Sequence, residues 1–158
     1  MNTPARESHA QISPDGRWLA YQAGDATGLR PEIYVRPSAG GAAKYQVSTN
    51  GGSFPRWRGD GPELFYLEGR GGGPTTGNLM AVDIGPSQAS FERGAPCPLF
   101  DSLYLNFLHP PGSTYHAYAV SRDGRRFLIP RVPSASADDM AGAPVAVVLN
   151  WASALQHR

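Results

Sequence analysis

The sequence is poor in cysteine, in net charge and in long apolar runs, and each scarcity excludes a class of protein. Its one cysteine, Cys97, cannot form a disulfide within the chain, so cysteine usage does not indicate a redox compartment. Lys and Arg number 14 and Asp and Glu 13, which leaves a formal net charge of +1. A nucleic-acid partner would require basic residues massed on one surface, so we predict none.

No stretch approaches the roughly 20 consecutive apolar residues of a membrane-spanning helix, and the N-terminal residues lack the apolar core of a signal peptide. We therefore expect no membrane segment in this chain, and its compartment is left open. A hydrophobic content of 41% with 17% charged residues is typical of a folded domain. We predict a single domain over 1–158.

Motifs that carry catalysis or bind metal are also missing. The sequence contains no kinase His-Arg-Asp or Asp-Phe-Gly, and the glycine-rich segment 69–77 lacks the Gly-Lys-Ser/Thr ending of a phosphate-binding loop. Ser53 lacks the second glycine of a nucleophile elbow. The histidines share no metal-ligand spacing: His9, His109, His116 and His157. We predict no catalysis, no cofactor and no metal.

Glycine and proline, by contrast, are plentiful, with 19 and 15 residues. Proline is excluded from central strands and marks loops and edges, so this composition favours an all-β fold with many turns.

An Asp-Gly phrase recurs three times, each time followed by an apolar run. The copies are 45 and 63 residues apart. Glycine adopts a positive φ at no steric cost, and Asp accepts hydrogen bonds from the backbone of a tight turn, so each copy predicts a hairpin. We assign a structural turn role to Asp15, Gly16, Asp60, Gly61, Asp123 and Gly124.

The residues around these turns form columns that repeat from copy to copy. Ile12, Trp57 and Val120 precede the turns at matching positions and predict equally buried inner strands. Further apolar runs give about eleven strands, and a period of roughly 40 to 45 residues is that of four-stranded propeller blades. The column directly after each turn varies in chemistry and is predicted to face solvent: Trp18, Glu63 and Arg126.

The phrase Ser13-Pro14-Asp15-Gly16-Arg17 and the run Pro55-Arg56-Trp57 resemble the TolB-like (WD-type) β-propeller repeat. The resemblance implies a partial propeller of about three four-stranded antiparallel blades, at roughly 8–50, 51–101 and 114–152. The run Val147-Val148-Leu149-Asn150-Trp151 is similar to the end of propellers fused to bacterial serine/threonine kinases. Such propellers are often periplasmic or extracytoplasmic.

A propeller binds ligands on the face where the loops between second and third strands, and between blades, gather. Several of those loops here are longer than a plain connection requires, which is typical of functional loops. We expect ligand contacts from Arg30, Glu32, Arg70, Tyr104, His109 and Tyr115.

Three blades are fewer than the four to eight with which propellers close. Leaving roughly 500 Å² of apolar face exposed would forgo about 12 kcal/mol. The chain is therefore expected to form a homodimer with a six-bladed ring, or to be part of a longer propeller.

The predicted function is a non-catalytic binding or sensor scaffold for a protein, peptide or small ligand. The alternative is an accessory propeller of a serine/threonine kinase or a prolyl-oligopeptidase-type peptidase. A relic without a ligand is a third possibility.

Overall fold

The computed structural model describes residues 7–24, 31–69, 74–85, 90–106, 117–130 and 145–149. These residues form an all-β structure with eleven strands, as predicted. The strands are β1 (Glu7–Ile12), β2 (Trp18–Ala23), β3 (Glu32–Pro37), β4 (Tyr45–Gln46), β5 (Ser53–Trp57), β6 (Glu63–Glu68), β7 (Pro74–Asp83), β8 (Cys97–Asn106), β9 (Ala119–Val120), β10 (Arg126–Pro130) and β11 (Val145–Leu149).

The strands form three antiparallel sheets, each ordered as an up-and-down meander. The first blade is β1-β2-β3-β4 and the second is β5-β6-β7-β8. The third blade contains β9-β10-β11 within the described residues. In all three, an Asp-Gly turn joins the first strand to the second. The predicted blade limits stay predictions.

A first core fills the space between the first and second blades. Alternate residues of β2 and β3 on one side meet alternate residues of β6 and β7 on the other, as expected for two sheets packed face to face. Its buried members are Trp18, Ala20, Ile33, Val35 and Val47 with Trp57, Leu64, Tyr66, Met80, Val82 and Phe91.

A second core lies between the second and third blades and uses the opposite face of β6 and β7. It consists of Phe65, Leu67, Leu79 and Ala81 with Ala117, Tyr118, Phe127 and Ile129. Because β6 contributes to both cores, four consecutive side chains from Leu64 to Leu67 are at most 1% exposed. The second blade is thus covered on both faces.

The prediction for the column after the turns is wrong for Trp18, which is only 9% exposed. Its ring lies edge-on to Phe91, with 5.1 Å between ring centroids. Phe91 comes from the β7–β8 connection of the second blade, which folds over the first blade. Arg126 is exposed as predicted, and Glu63 is half-buried beside Arg58.

The prediction that Ile12 and Trp57 are equally buried is also wrong, since they are 62% and 7% exposed. Both side chains lie on the face that looks toward the preceding blade. Trp57 has the first blade against that face, whereas Ile12 has no further sheet against it among the described residues.

The inner strands β1 and β5 each carry a bulge, six residues before the Asp of the Asp-Gly turn that follows. His9 and Phe54 occupy these positions with φ of 54° and 55°, a left-handed conformation that costs a residue with a side chain about 1–2 kcal/mol. Their rings meet edge to face with centroids 4.5 Å apart. The register of both strand pairs shifts at this point, so the bulge belongs to the repeat.

Hydrogen bonds also join the inner strand of the second blade to both neighbours. Phe54 N donates to Gln22 Oε1 of the first blade at 3.0 Å, and Trp57 Nε1 donates to Gln11 O at 3.0 Å. From the third blade, Tyr118 Oη donates to Phe54 O at 3.0 Å.

We predict that stability falls at alkaline pH and that Tyr118 contributes to the fall. Burial raises the pKa of Tyr118 well above its ordinary value near 10, and Arg56 opposes the shift only in part. Because the folded-state pKa is the higher one, the contribution of Tyr118 to the free energy of unfolding is fully present below pH 10. It is lost as the pH rises through the folded-state pKa, by up to about 1.4 kcal/mol per pH unit.

Urea unfolding from pH 8 upward measures the effect, with Tyr118→Phe as the comparison. The variant is expected to be less stable at neutral pH, by about 1 kcal/mol for the lost hydrogen bond, and to show a shallower alkaline decline. Identical slopes for both proteins would contradict the assignment.

Candidate functional site

The sheets present two ends at which loops could form a site. One, the turn end, carries the three Asp-Gly turns, the β3–β4 turn and the start of the β7–β8 connection. The other, the loop end, carries the connection from β4 to β5 and the chain entering β3. The candidate ligand residues predicted from the sequence are expected at the loop end.

The first and third Asp-Gly turns are built alike. Gly16 N donates to Ser13 O at 2.8 Å and Gly124 N to Ser121 O at 2.9 Å, and the φ of these glycines are 76° and 70°. Such angles are favourable only for residues without a Cβ. The repeated phrase therefore specifies one backbone conformation.

The serine and Asp side chains complete each of these two turns. Ser13 Oγ donates to Asp15 Oδ1 at 2.5 Å and accepts a hydrogen bond from Trp18 N at 2.9 Å. Arg17 N donates to the same carboxylate oxygen at 3.1 Å, and Arg17 Nε lies 2.7 Å from Asp15 Oδ2. The third turn repeats the Ser121–Asp123 bond at 2.5 Å.

These hydrogen bonds hold the two carboxylates in their charged form. Burial raises the pKa of Asp15, but the bonds from Ser13 and Arg17 outweigh it, so the pKa is lowered overall. At Asp123 the bond from Ser121 is the main cause of a lowered pKa. Both groups are ionised at neutral pH.

The second turn replaces serine with Arg58 and uses ion pairs instead. Arg58 Nη1 lies 2.9 Å from Glu63 Oε2, and Arg58 Nε lies 2.8 Å from Asp60 Oδ1. Gly61 N donates to Arg58 O at 2.9 Å, and the φ of Gly61 is 96°. The turn keeps its backbone shape while its side-chain chemistry changes.

The second and third turns are in direct contact. Gly59 N donates to Arg122 O at 3.0 Å, and a Cβ at Gly59 would lie 2.5 Å from Arg122 Cγ and 2.9 Å from Arg122 O. Only glycine allows this approach, so this position in the second turn closes the gap to the third blade.

Between the first and second turns the corresponding gap is open. Pro14 stands at the position of Gly59 and has no N–H to donate, so the equivalent bond between turns cannot form. A cleft of about 420 Å³ lies there. It is lined by Ser13, Asp15, Arg17, Trp18, Trp57, Asp60, Gly61, Pro62, Ile84 and Gly85.

The cleft combines indole rings with charged groups. Trp18 and Trp57 are 9% and 7% exposed, so they present only a small part of their surface to it. Asp15, Asp60 and Arg17 are its charged residues, which gives two carboxylates against one guanidinium. The Asp60 side chain is 50% exposed and is accessible to a ligand.

At the loop end, Glu32 fastens the connection between the first two blades. Its Oε1 accepts a hydrogen bond from Gly51 N at 3.0 Å, and its Oε2 accepts one from Ser48 Oγ. The same Ser48 Oγ accepts from Ile33 N at 2.7 Å. Both carboxylate oxygens of Glu32 are therefore engaged within the chain.

Of the other predicted ligand contacts, Tyr104 lies in β8, where its backbone is opposite Thr76 of β7. Arg30, Arg70, His109 and Tyr115 lie outside the described residues. The role of the six as ligand contacts therefore stays a prediction.

Sequence reasoning missed the cleft because its lining comes from two turns and a connection that are far apart along the chain. The available signal was Pro14 in the first phrase against Gly59 in the second. Across the described part of the chain, no three His, Cys, Asp or Glu residues are grouped to hold a metal ion.

No family model and no curated protein sequence matches the chain. Among solved structures, TolB from Acinetobacter baumannii is similar, with a TM-score of 0.53 and 22% identity over 90% of this chain. The chain spans 29% of the length of that TolB. The match shows a TolB-like β-propeller fold, and the three sheets are a partial propeller.

Among the described residues no helix has the length and apolarity to cross a membrane.

We predict that Ser13→Ala destabilises the protein by about 1–3 kcal/mol, because it leaves the amide of buried Trp18 without its acceptor. The change also removes a bond that lowers the pKa of Asp15, so that pKa should rise. Urea unfolding and carboxyl NMR titration measure the two effects. Ser90→Ala, at an exposed position, should change stability by less than about 0.5 kcal/mol. Equal effects of the two changes would show that the Ser13 hydroxyl does not support the turn.

Gly59→Ala should destabilise by about 1–3 kcal/mol, since the added methyl group is forced against the backbone of the third blade. Gly94→Ala is the control, because its Cβ would meet Asp83 Cβ at an ordinary 3.5 Å. Thermal unfolding compares the two. A Gly59→Ala protein as stable as Gly94→Ala would show that the turns do not support each other.

Proposed function

We propose that this chain is a non-catalytic β-propeller scaffold that binds a ligand in the cleft between the first and second blades. The observation that carries the proposal is the contrast between two equivalent places in the repeat. The second and third turns close against each other through Gly59 and Arg122, whereas the first and second leave about 420 Å³ open. That volume lies within the range of small-molecule sites, about 300–1,000 Å³.

The chemistry of the cleft favours a cationic group, such as the side chain of Arg or Lys in a peptide. Two carboxylates and one guanidinium line it. Asp15 is paired with Arg17 and Asp60 with Arg58, which also contacts Glu63, so the three carboxylates of this cluster outnumber its two guanidinium groups. The Asp60 side chain, 50% exposed against 44% for Asp15, is the better partner for a ligand. A cation beside Trp18 or Trp57 would also be attracted by the indole ring.

The loop end is a second candidate face, on which the sequence predicts contacts with a protein, peptide or small ligand. Among the described residues, the connection from β4 to β5 lies there. Glu32 would act by holding the connection from β4 to β5 in place rather than through a carboxylate oxygen, since both oxygens are engaged by Ser48 and Gly51.

Binding of the tripeptides Gly-Arg-Gly and Gly-Glu-Gly, followed by tryptophan fluorescence and calorimetry, tests the cleft. The basic peptide should bind and the acidic one should not. Asp60→Asn should weaken binding about tenfold, equivalent to about 1.4 kcal/mol, while the exposed Asp83→Asn, outside the cleft, should leave it unchanged. Equal binding of both peptides, or no effect of Asp60→Asn, would refute a cation site here.

An accessory role beside a serine/threonine kinase or a prolyl-oligopeptidase-type peptidase is the second candidate. It is supported by the length of the matched TolB chain, of which this chain spans 29%, since a partial propeller can belong to a larger assembly. Finding His-Arg-Asp or Gly-x-Ser-x-Gly encoded in the same reading frame would favour it, and an isolated frame would count against it.

A further inference from the structure

The repeat gives every blade two distinct faces. In the second blade, Trp57, Leu64 and Tyr66 point toward the first blade, and Phe65 and Leu67 point toward the third. The third blade follows the same rule, because Phe127 and Ile129 point back toward the second. In the strand after each Asp-Gly turn, the fourth and sixth residues after the Asp face the preceding blade. The fifth residue, between them, faces the following blade.

On the first blade, the positions that look toward a preceding blade are Ile12, Leu19 and Tyr21. Arg36 and Lys44 lie over the Tyr21 ring at 5.4 and 5.9 Å, and Tyr21 is 3% exposed. Leu19 is half-buried and Ile12 is 62% exposed. Trp57 and Leu64, their counterparts in the second blade, are 7% and 0% exposed.

On the third blade, the position that looks toward a following blade is Leu128, which is 44% exposed. Its counterparts Ala20 and Phe65 are both fully buried at 0%. Ile12 and Leu128 are the large hydrophobic side chains exposed in the described part of the chain. The exposed apolar residues thus lie on the two outer faces that the repeat would bury against another blade.

The outer face of the first blade is the kind that faces a preceding blade, and that of the third blade is the kind that faces a following blade. Inside the molecule, faces of these two kinds pack against each other. From this we propose that two copies of the chain associate head to tail, with the third blade of each packed on the first blade of the other. A head-to-tail interface closes into a ring when its rotation allows. Two copies bring six sheets, within the four to eight blades of closed propellers.

Light scattering in the micromolar range tests the association and should give twice the chain mass of 16.9 kDa. Ile12→Asp and Leu128→Asp should each give monomers, since every interface in the ring then carries an unpaired charge in an apolar contact. An equimolar mixture of the two variants should dimerise, because one of its two interfaces is unaltered. The control Ala95→Asp, at an exposed loop position, should stay dimeric.

A cysteine pair tests the geometry independently of variant stability. Inside the chain, the counterparts of Leu128 and Leu19 are Phe65 and Phe127, whose ring centroids are 5.1 Å apart. Facing sheets lie about 10 Å apart, so in a Cys97→Ser background the double variant Leu19→Cys and Leu128→Cys should be joined into dimers by a bis-maleimide crosslinker of about that length. The two cysteines lie on opposite outer faces, so they cannot pair within one chain. Either cysteine alone should not crosslink.

A folded wild-type monomer, as expected if the outer faces instead take further blades of a longer chain, would overturn the proposal. So would assemblies larger than two copies, charge variants that stay dimeric, or a mixture that stays monomeric. Crosslinking through a single introduced cysteine would also overturn it, because that requires two like faces to meet.

Discussion

The structure depends on one constraint, which is that a sheet apolar on both faces must be covered on both faces. The second blade satisfies it, since β6 places Leu64 and Tyr66 against the first blade and Phe65 and Leu67 against the third. No ladder of backbone hydrogen bonds joins neighbouring blades in the sheets described. Burial of these side chains, worth about 1.5–3 kcal/mol each, is therefore what assembles three hairpin-based sheets into one body.

The Asp-Gly turns fix the register that this packing needs. Each turn sets which residue of the following strand looks back and which looks forward, because side chains alternate between the faces of a strand. A shift by one residue would exchange Leu64 with Phe65 and direct each toward the wrong core. The chemistry inside the turn is less constrained, since Arg58 with Asp60 and Glu63 supports the same backbone as Ser13 with Asp15.

Much of this fold could be predicted because its signals are local. The three phrases locate the hairpins, and the apolar columns locate β2, β6 and β10. The burial of Trp18 could not be predicted, because it depends on Phe91 in another blade. The exposure of Ile12 has the same origin, since a strand position does not reveal whether a neighbouring sheet is present. The cleft also escaped prediction, because it requires knowing that the residues at positions 14 and 59 face equivalent gaps between turns.

The central claim is that packing on both faces of the second blade holds the molecule together. Native-state hydrogen exchange tests it most directly. We predict that the amides of β6 from Leu64 to Leu67 exchange most slowly and only through global unfolding, with faster exchange in β1 and β10. Amides in β6 that exchange as fast as those of β1 would contradict it.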